Sequence, residues 1–365
     1  YAETDHYDFA SAFHIPTYLF LSLVVAMFLG LTNSVDDVTR DRPILLRERN
    51  LNVRLGYYVT AKALTLAFFA VIQCMLYAWV GDALLEVRGM FWIVFATLFL
   101  TVLSGIAIGL LVSSMVNESK TAVLFIPVVL IPQIILSGAL IKYEEMNRDL
   151  DFAYAAQQWF AKHPESGEKP RSDLQVPFIC ELMPMRWSYE AMIYAQAKLN
   201  PLTRRQDAIQ AEITALASKP DESMADKQRL EDLKDLLALV SGLRGKSAAE
   251  IDRSLSQIDR VIDGAAYDPD LIGSQKGRIT AEQIYVNQKV TDLVSKAEME
   301  QFDYRNGKEH LNVFFGPVKE YFVGSVFHIR LNVLVFNTGV LLLTTFGCFF
   351  ALYFILRRQI RLRGP

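Results

Sequence analysis

The sequence predicts an all-α integral membrane protein in which a bundle of spanning helices is interrupted by a large extracytoplasmic helical-hairpin insert. Three observations predict it. Apolar residues make up 52% of the 365-residue chain and mean hydropathy is +0.21, yet 21% of residues are charged. That is too apolar for an ordinary soluble domain and too charged for a chain lying wholly in lipid. Second, the apolar residues gather into runs of the length that a bilayer core requires, about 20 residues of helix. Third, the charge gathers in an elbow between the first two runs and in a long segment with helical periodicity.

Five runs are expected to span, at about Ile15–Val35, Gly56–Val80, Gly89–Val116, Thr121–Ile141 and Ile329–Leu356. Tyr18, Tyr57, Tyr58, Tyr77, Trp79, Trp92 and Tyr353 fall near their ends, where amphipathic rings sit at the headgroup level. The chain divides into membrane helices (1–142, four spans), a loop with a re-entrant helix (143–202), a helical insert (203–311), and a last span with a basic tail (312–365).

Orientation follows from the basic residues of the short loops. Arg40, Arg42, Arg47, Arg49 and Arg54 lie in the elbow, Lys120 in the next turn on that side, and Arg357, Arg358, Arg361 and Arg363 in the tail. The opposite side has only Arg88 in its short loops. The elbow and C-terminus are therefore expected in the cytoplasm, and residues 143–328 outside a plasma membrane, of the bacterial inner-membrane type. An odd number of spans with an external start suggests a further span before Tyr1, the alternative being a five-span protein with its N-terminus outside.

In the insert, apolar residues recur at helical spacing: Ile209, Ile213 and Leu216; Leu230, Leu233, Leu237 and Val240; Ile251, Leu255, Ile258 and Ile262. Breakers at 219–221 and 241–245 fold these into antiparallel helices, and 280–300 reads as a further amphipathic helix. Their charged stripes read as solvated faces.

Catalytic patterns are absent, and the five histidines show no metal-ligand spacing. Gly245-Lys246-Ser247 ends like a phosphate loop, but the position of its first glycine is Val240 and no strand precedes it. A net charge of −3 gives no basic surface for nucleic acid. Cys74, Cys180 and Cys348 stand far apart, without a disulfide framework.

The elbow is the informative stretch. Asp36, Asp37, Arg40, Asp41 and Arg42 are followed by Arg47, Glu48 and Arg49, and Lys62 enters the second turn of the next span. Interfacial anchoring explains the arginines but not the interleaved acids. A charge inside a span costs a few kcal/mol unless it snorkels or is paired, so Lys62 is expected to reach the interface or an acid of the elbow. A rigid, self-paired elbow suits a membrane domain that takes a push from a soluble partner.

The pattern N-x-x-D-D…R-D-R-P…RER…GYY-x-x-AK over residues 33–62 resembles the first intracellular loop of the permease domain in G-subfamily ABC transporters and their bacterial relatives. Two further stretches agree in order and place. Residues 131–138, IPQIILSG, resemble the proline- and glycine-broken end of that family's fifth span. Residues 183–192, MPMRWSYEAM, resemble its P-x-R-[WY]-x-x-E-A-[LM] re-entrant signature. The likeness covers residues 15–142, 177–200 and 326–356, about half the chain. Asn50-Leu51-Asn52 replaces a glycine-containing turn, and the 203–311 insert is far larger than the family's external loop.

The resemblance implies an ABC exporter transmembrane helical bundle that works as a dimer with a second copy, moving an amphipathic or lipid-like cargo. ATP and Mg would be bound by a nucleotide-binding ATPase domain upstream or on a partner; this chain carries no catalytic residues or metal site. Arg40, Asp41, Arg42, Arg47, Glu48 and Arg49 would couple to that domain. Pro127, Pro132 and Gly138 would let a span bend as a gate. Pro184, Arg186, Trp187 and Glu190 form the re-entrant motif, with Arg186 and Glu190 paired at i, i+4 for structure or for cargo contact. An alternative reading has the ATP-driven motion act through 203–311 on an extracytoplasmic protein, with nothing transported.

Overall fold

A computed structural model describes residues 12–48, 54–85, 87, 89–141, 146, 177–218, 224–242, 287, 289–294 and 333–362. The described residues include ten helices: α1 Ile15–Ser34, α2 Asp37–Glu48, α3 Leu55–Leu85, α4 Phe91–Met115, α5 Ser119–Ile135, α6 Phe178–Glu181, α7 Pro184–Lys198, α8 Pro201–Ala217, α9 Met224–Ser241 and α10 Val333–Leu362. The chain divides into two compact units, one of residues 17–78, 94–192 and 296–365, the other of 1–16, 79–93 and 193–295.

In the first unit α1 and α4 form the centre. Leu19, Leu23, Met27 and Leu31 of α1 are buried at every fourth position, as are Val94, Leu98, Val102, Ile106 and Leu110 of α4. Such rows are the ridges that seat in the grooves of a neighbouring helix. Glycines bring the two backbones together. A methyl added at Gly105 would stand 2.8 Å from the Met27 carbonyl oxygen, and one added at Gly30 would strike the Val102 carbonyl. Small residues at a crossing let helices approach where lipid gives no hydrophobic drive.

α3 buries only Val59, Ala70, Cys74 and Ala78, and shows Leu64, Phe68, Phe69 and Leu76 to its surroundings. Polar bonds tie it to α1: Asn33 donates to the Gln73 side chain at 3.1 Å and the Tyr77 hydroxyl to Ser22 at 3.0 Å. α10 is similarly exposed along its length, with Asn337, Leu341 and Thr345 forming its inner row. Thr345 shares a 2.8 Å hydrogen bond with Ser104 of α4.

Among the described residues four helices, α1 (continuing to Leu45), α3, α4 and α10, are long and apolar enough to cross a membrane. The expected fifth span is shorter: α5 has 17 residues and ends at Ile135. At 1.5 Å per residue it reaches about 26 Å, at the lower end of what a core of about 30 Å takes. Its chemistry explains the early stop. Pro127 and Pro132 each remove a backbone donor, and Gly138 turns the chain at a positive φ of 80°.

In the second unit α8 and α9 pair as the expected antiparallel hairpin. Ile209, Ile213 and Leu216 are buried with Leu233 and Leu236, and Arg229 pairs with Glu212. The register differs from the expected series at one point, since Leu236 rather than Leu237 is the fully buried position. Asn200 caps α8, accepting from the Thr203 N–H at 2.8 Å while Pro201 begins the helix. The 251–262 helix lies outside the described residues, as do 280–286 and 295–300 of the next one; helix is seen there over 289–294.

Candidate functional site: the elbow and the α6–α7 corner

The elbow folds as α2, a 12-residue helix with Asp37 in its first turn and Arg47 in its last, both signs favourable to the helix dipole. Its two faces have different partners. On the inner face the Thr39 N–H donates to the Ser113 hydroxyl at 3.0 Å, and the Thr39 hydroxyl to the Ser113 carbonyl at 2.7 Å. Arg42 forks, donating to Asn117 at 2.7 Å and to the Ser114 carbonyl at 2.8 Å. These carbonyls belong to the last turn of α4, where a helix leaves acceptors open. α2 is thus the cap of α4.

Toward α3 the contact is ionic. Lys62 Nζ stands 2.9 Å from Asp41 and 3.4 Å from Asp37, and the Tyr58 hydroxyl donates to Asp41 at 3.0 Å. Asp37, Tyr58, Lys62, Thr65 and Leu66 line an open cleft of roughly 240 Å³. The cluster is therefore wet, and of the two routes expected for Lys62 the structure shows the second: it reaches back to acids of the elbow.

The outer face of α2 is exposed at Arg40, Pro43, Ile44 and Arg47. Arg40 folds back on Asp36 while remaining 68% exposed. Pro43 lies within the helix and removes one backbone donor there. Of the six elbow residues singled out from the sequence, Arg40 and Arg47 thus face outward, while Asp41 and Arg42 hold α2 to α3 and α4. Glu48 closes the helix and its side chain is not described; Arg49 lies outside the described residues.

The second cluster is the α6–α7 corner. Pro184 opens α7, and Met185, Arg186 and Trp187 are all buried to within 2%. Arg186 reaches Glu181 at 3.0 Å and Glu190 at 3.2 Å, with side-chain exposures of 2%, 5% and 7% in that order. The indole N–H of Trp187 donates to the Glu181 carbonyl at 2.8 Å, and the Arg186 guanidinium lies 4.0 Å from the Trp187 ring centre. Trp187 also packs on Phe336 of α10. Burial raises both carboxyls to about 7 against the pull of Arg186, and Glu190 at its side pushes Glu181 further up. Helical spacing gave the Arg186–Glu190 pair; Glu181 escaped it because it lies five residues back, across the turn between α6 and α7.

The gate residues fall where α5 meets this corner. Pro127 and Pro132 are inside α5, and Gly138 follows its end. Gln133, one residue beyond Pro132, is 5% exposed and accepts the Met185 N–H at 3.2 Å. Phe20, Met27, Leu31 and Val35 of α1 and its extension, Ala122 and Ile126 of α5 and Met185 of α7 share one apolar core. A buried glutamine inside an apolar run was the signal that sequence reading missed. Together the clusters offer charge pairing, anchoring and a bendable helix, but no nucleophile with a matched base.

No curated protein and no solved structure matches the chain. Residues 2–157 match the family model described as ABC-2 type transporter, a stretch that takes in α1 to α5 with the elbow. Residues 2–157, less than half of the chain, are thus similar to the ABC-2 type transporter family, and the matched stretch holds the elbow and three of the four long apolar helices.

Proposed function

We propose that the chain is the membrane half of an ABC exporter of the G-subfamily kind, acting as a dimer, in which α2 receives force from a nucleotide-binding ATPase. The observation that carries this reading is the division of α2: one face is bonded to α3 and α4, while Arg40, Pro43, Ile44 and Arg47 are left for a partner. A lever needs both an anchored side and a free side. ATP and Mg belong to the partner. In this reading the elbow is cytoplasmic, and a push on α2 is passed to α3 and α4, shifting the population between inward and outward access. The bundle's surroundings suit an amphipathic or lipid-like cargo, and the proline-weakened α5 beside the α6–α7 corner suits a gate.

A photo-crosslinking residue at Ile44, on the free face, is expected to capture a nucleotide-binding ATPase in membranes. The same residue at Leu64, on the exposed face of α3, is expected not to. Capture at Leu64 alone, or at neither position, would reject the assignment.

One observation favours the second reading, in which motion is handed to an extracytoplasmic protein. The α8–α9 hairpin has its own apolar core and belongs to a compact unit separate from most of the bundle. Deleting residues 203–311 distinguishes the two. Loss of a partner's activity in a protein that exports nothing supports force transmission; export that persists supports the exporter.

A further inference from the structure

The base of the last helix is fastened to the same carbonyl as the elbow. α4 ends at Met115, so the carbonyls of Ser113 and Ser114 have no helical donors of their own. Thr39 and Arg42 of α2 supply some of the missing donors. Another comes from the far end of the chain, where Gln359 donates its side-chain N–H to the Ser114 carbonyl at 2.8 Å. A carbonyl oxygen has two lone pairs, and here one faces a guanidinium of α2 and the other an amide of α10.

The tie matters because the described residues give α10 little else at that level. Only 22% of its most apolar stretch is buried, and Phe354, Arg357 and Arg358 around its base are exposed. Leu356 packs inward, and the Ser104–Thr345 bond is about four turns higher. A loosely packed helix follows its polar anchors, and the lower anchor is shared with the elbow.

We propose that Gln359 is a positioning residue for transport: by sharing the Ser114 carbonyl with Arg42 it joins α10 to α2, so that displacement of the elbow is passed to the last helix. This rests on the coupling role proposed above for α2. It adds a route that bypasses α3, running from Arg42 through one backbone oxygen to Gln359.

The test uses the full chain assembled with its ATPase in lipid, with Cys74, Cys180 and Cys348 changed to alanine. Spin labels are placed in pairs at Ile44 and Leu64, and at Phe354 and Leu64, and distances are compared with and without ATP trapped by vanadate. In the otherwise wild-type protein both distances are expected to change. Gln359→Leu should abolish the change at Phe354 while keeping that at Ile44. Gln359→Lys, which restores a donor, should recover it. If Gln359→Leu fails to assemble, Gln359→Asn, one methylene short of the carbonyl, takes its place. A change at Phe354 that persists in Gln359→Leu or Gln359→Asn overturns the proposal and leaves the coupling role of α2 intact. The absence of any ATP-dependent change at Ile44 in the wild type overturns that role, and the proposal with it.

Discussion

The Arg186 corner makes stability depend on pH, and a single substitution should remove most of that dependence. One guanidinium faces two carboxyls, so full ionisation leaves a net negative charge buried among side chains no more than 7% exposed. Burial is the larger influence on both Glu181 and Glu190 and holds each at about 7 rather than 4.5. A carboxyl raised in the native state favours folding fully below its unfolded value, and that contribution falls away as pH climbs through the native one. The two groups titrate as a pair, so one proton is counted. The rise from 4.5 to about 7 corresponds to roughly 3 kcal/mol lost between mildly acid and mildly alkaline solution.

Glu190→Gln keeps the shape, cannot ionise, and leaves Arg186 with Glu181 as a neutral pair. Its stability should match the wild type near pH 5 and exceed it near pH 8, by up to about 3 kcal/mol and several degrees of melting temperature. Thermal melting of detergent-solubilised protein, followed by size-exclusion fluorescence from pH 5 to 8, gives the comparison. A wild type with a flat profile, or a Glu190→Gln variant less stable than wild type at pH 8, would show that the corner does not hold a strained charge.

Three further outcomes are expected. Gly105→Val would press its side chain against the Met27 carbonyl, which lies 2.8 Å from where a Cβ would stand, and should lower stability by about 1–3 kcal/mol or more, read as a fall in melting temperature. Lys62→Met leaves Asp37 and Asp41 facing one another beside an open cleft. Because the group is wet the loss should be no more than about 1 kcal/mol, so a collapse of folding would show that the pairing carries more than a solvated ion pair can. Asn200→Ala removes the cap of α8 at a cost of about 1 kcal/mol. Hydrogen exchange should quicken in the α8–α9 hairpin while α1 and α4 keep their protection.

The elbow was legible in the sequence because charge is scarce in a membrane chain and therefore conspicuous. Its division into two faces was not. Whether Asp41 and Arg42 point toward the bundle or away from it depends on where α2 lies against α4, and the deciding partners, Ser113, Ser114 and Asn117, are more than 70 positions away in the chain. Four spans were legible from length and hydropathy. The early end of the fifth apolar helix was not legible, because Pro127, Pro132 and Gly138 do not lower hydropathy enough to show that it stops at Ile135. The α1–α4 crossing left only a faint trace in Gly30, Gly105 and Gly109, since small residues are common in spans for several reasons. The Arg186–Glu190 pair followed from helical spacing; Glu181 did not, because a turn rather than a helix brings it in.

If α2 is a lever between an ATPase and the bundle, charge reversal on its free face should disconnect the two without disturbing the fold. Arg47 is exposed, so Arg47→Glu should leave expression, size-exclusion profile and melting temperature as in the wild type. In the assembled transporter the same variant should lose the dependence of ATP hydrolysis on the membrane domain, with the ATPase turning over at its isolated rate. Hydrolysis that stays fully responsive to the membrane domain in a well-folded Arg47→Glu protein would mean that α2 is not the lever.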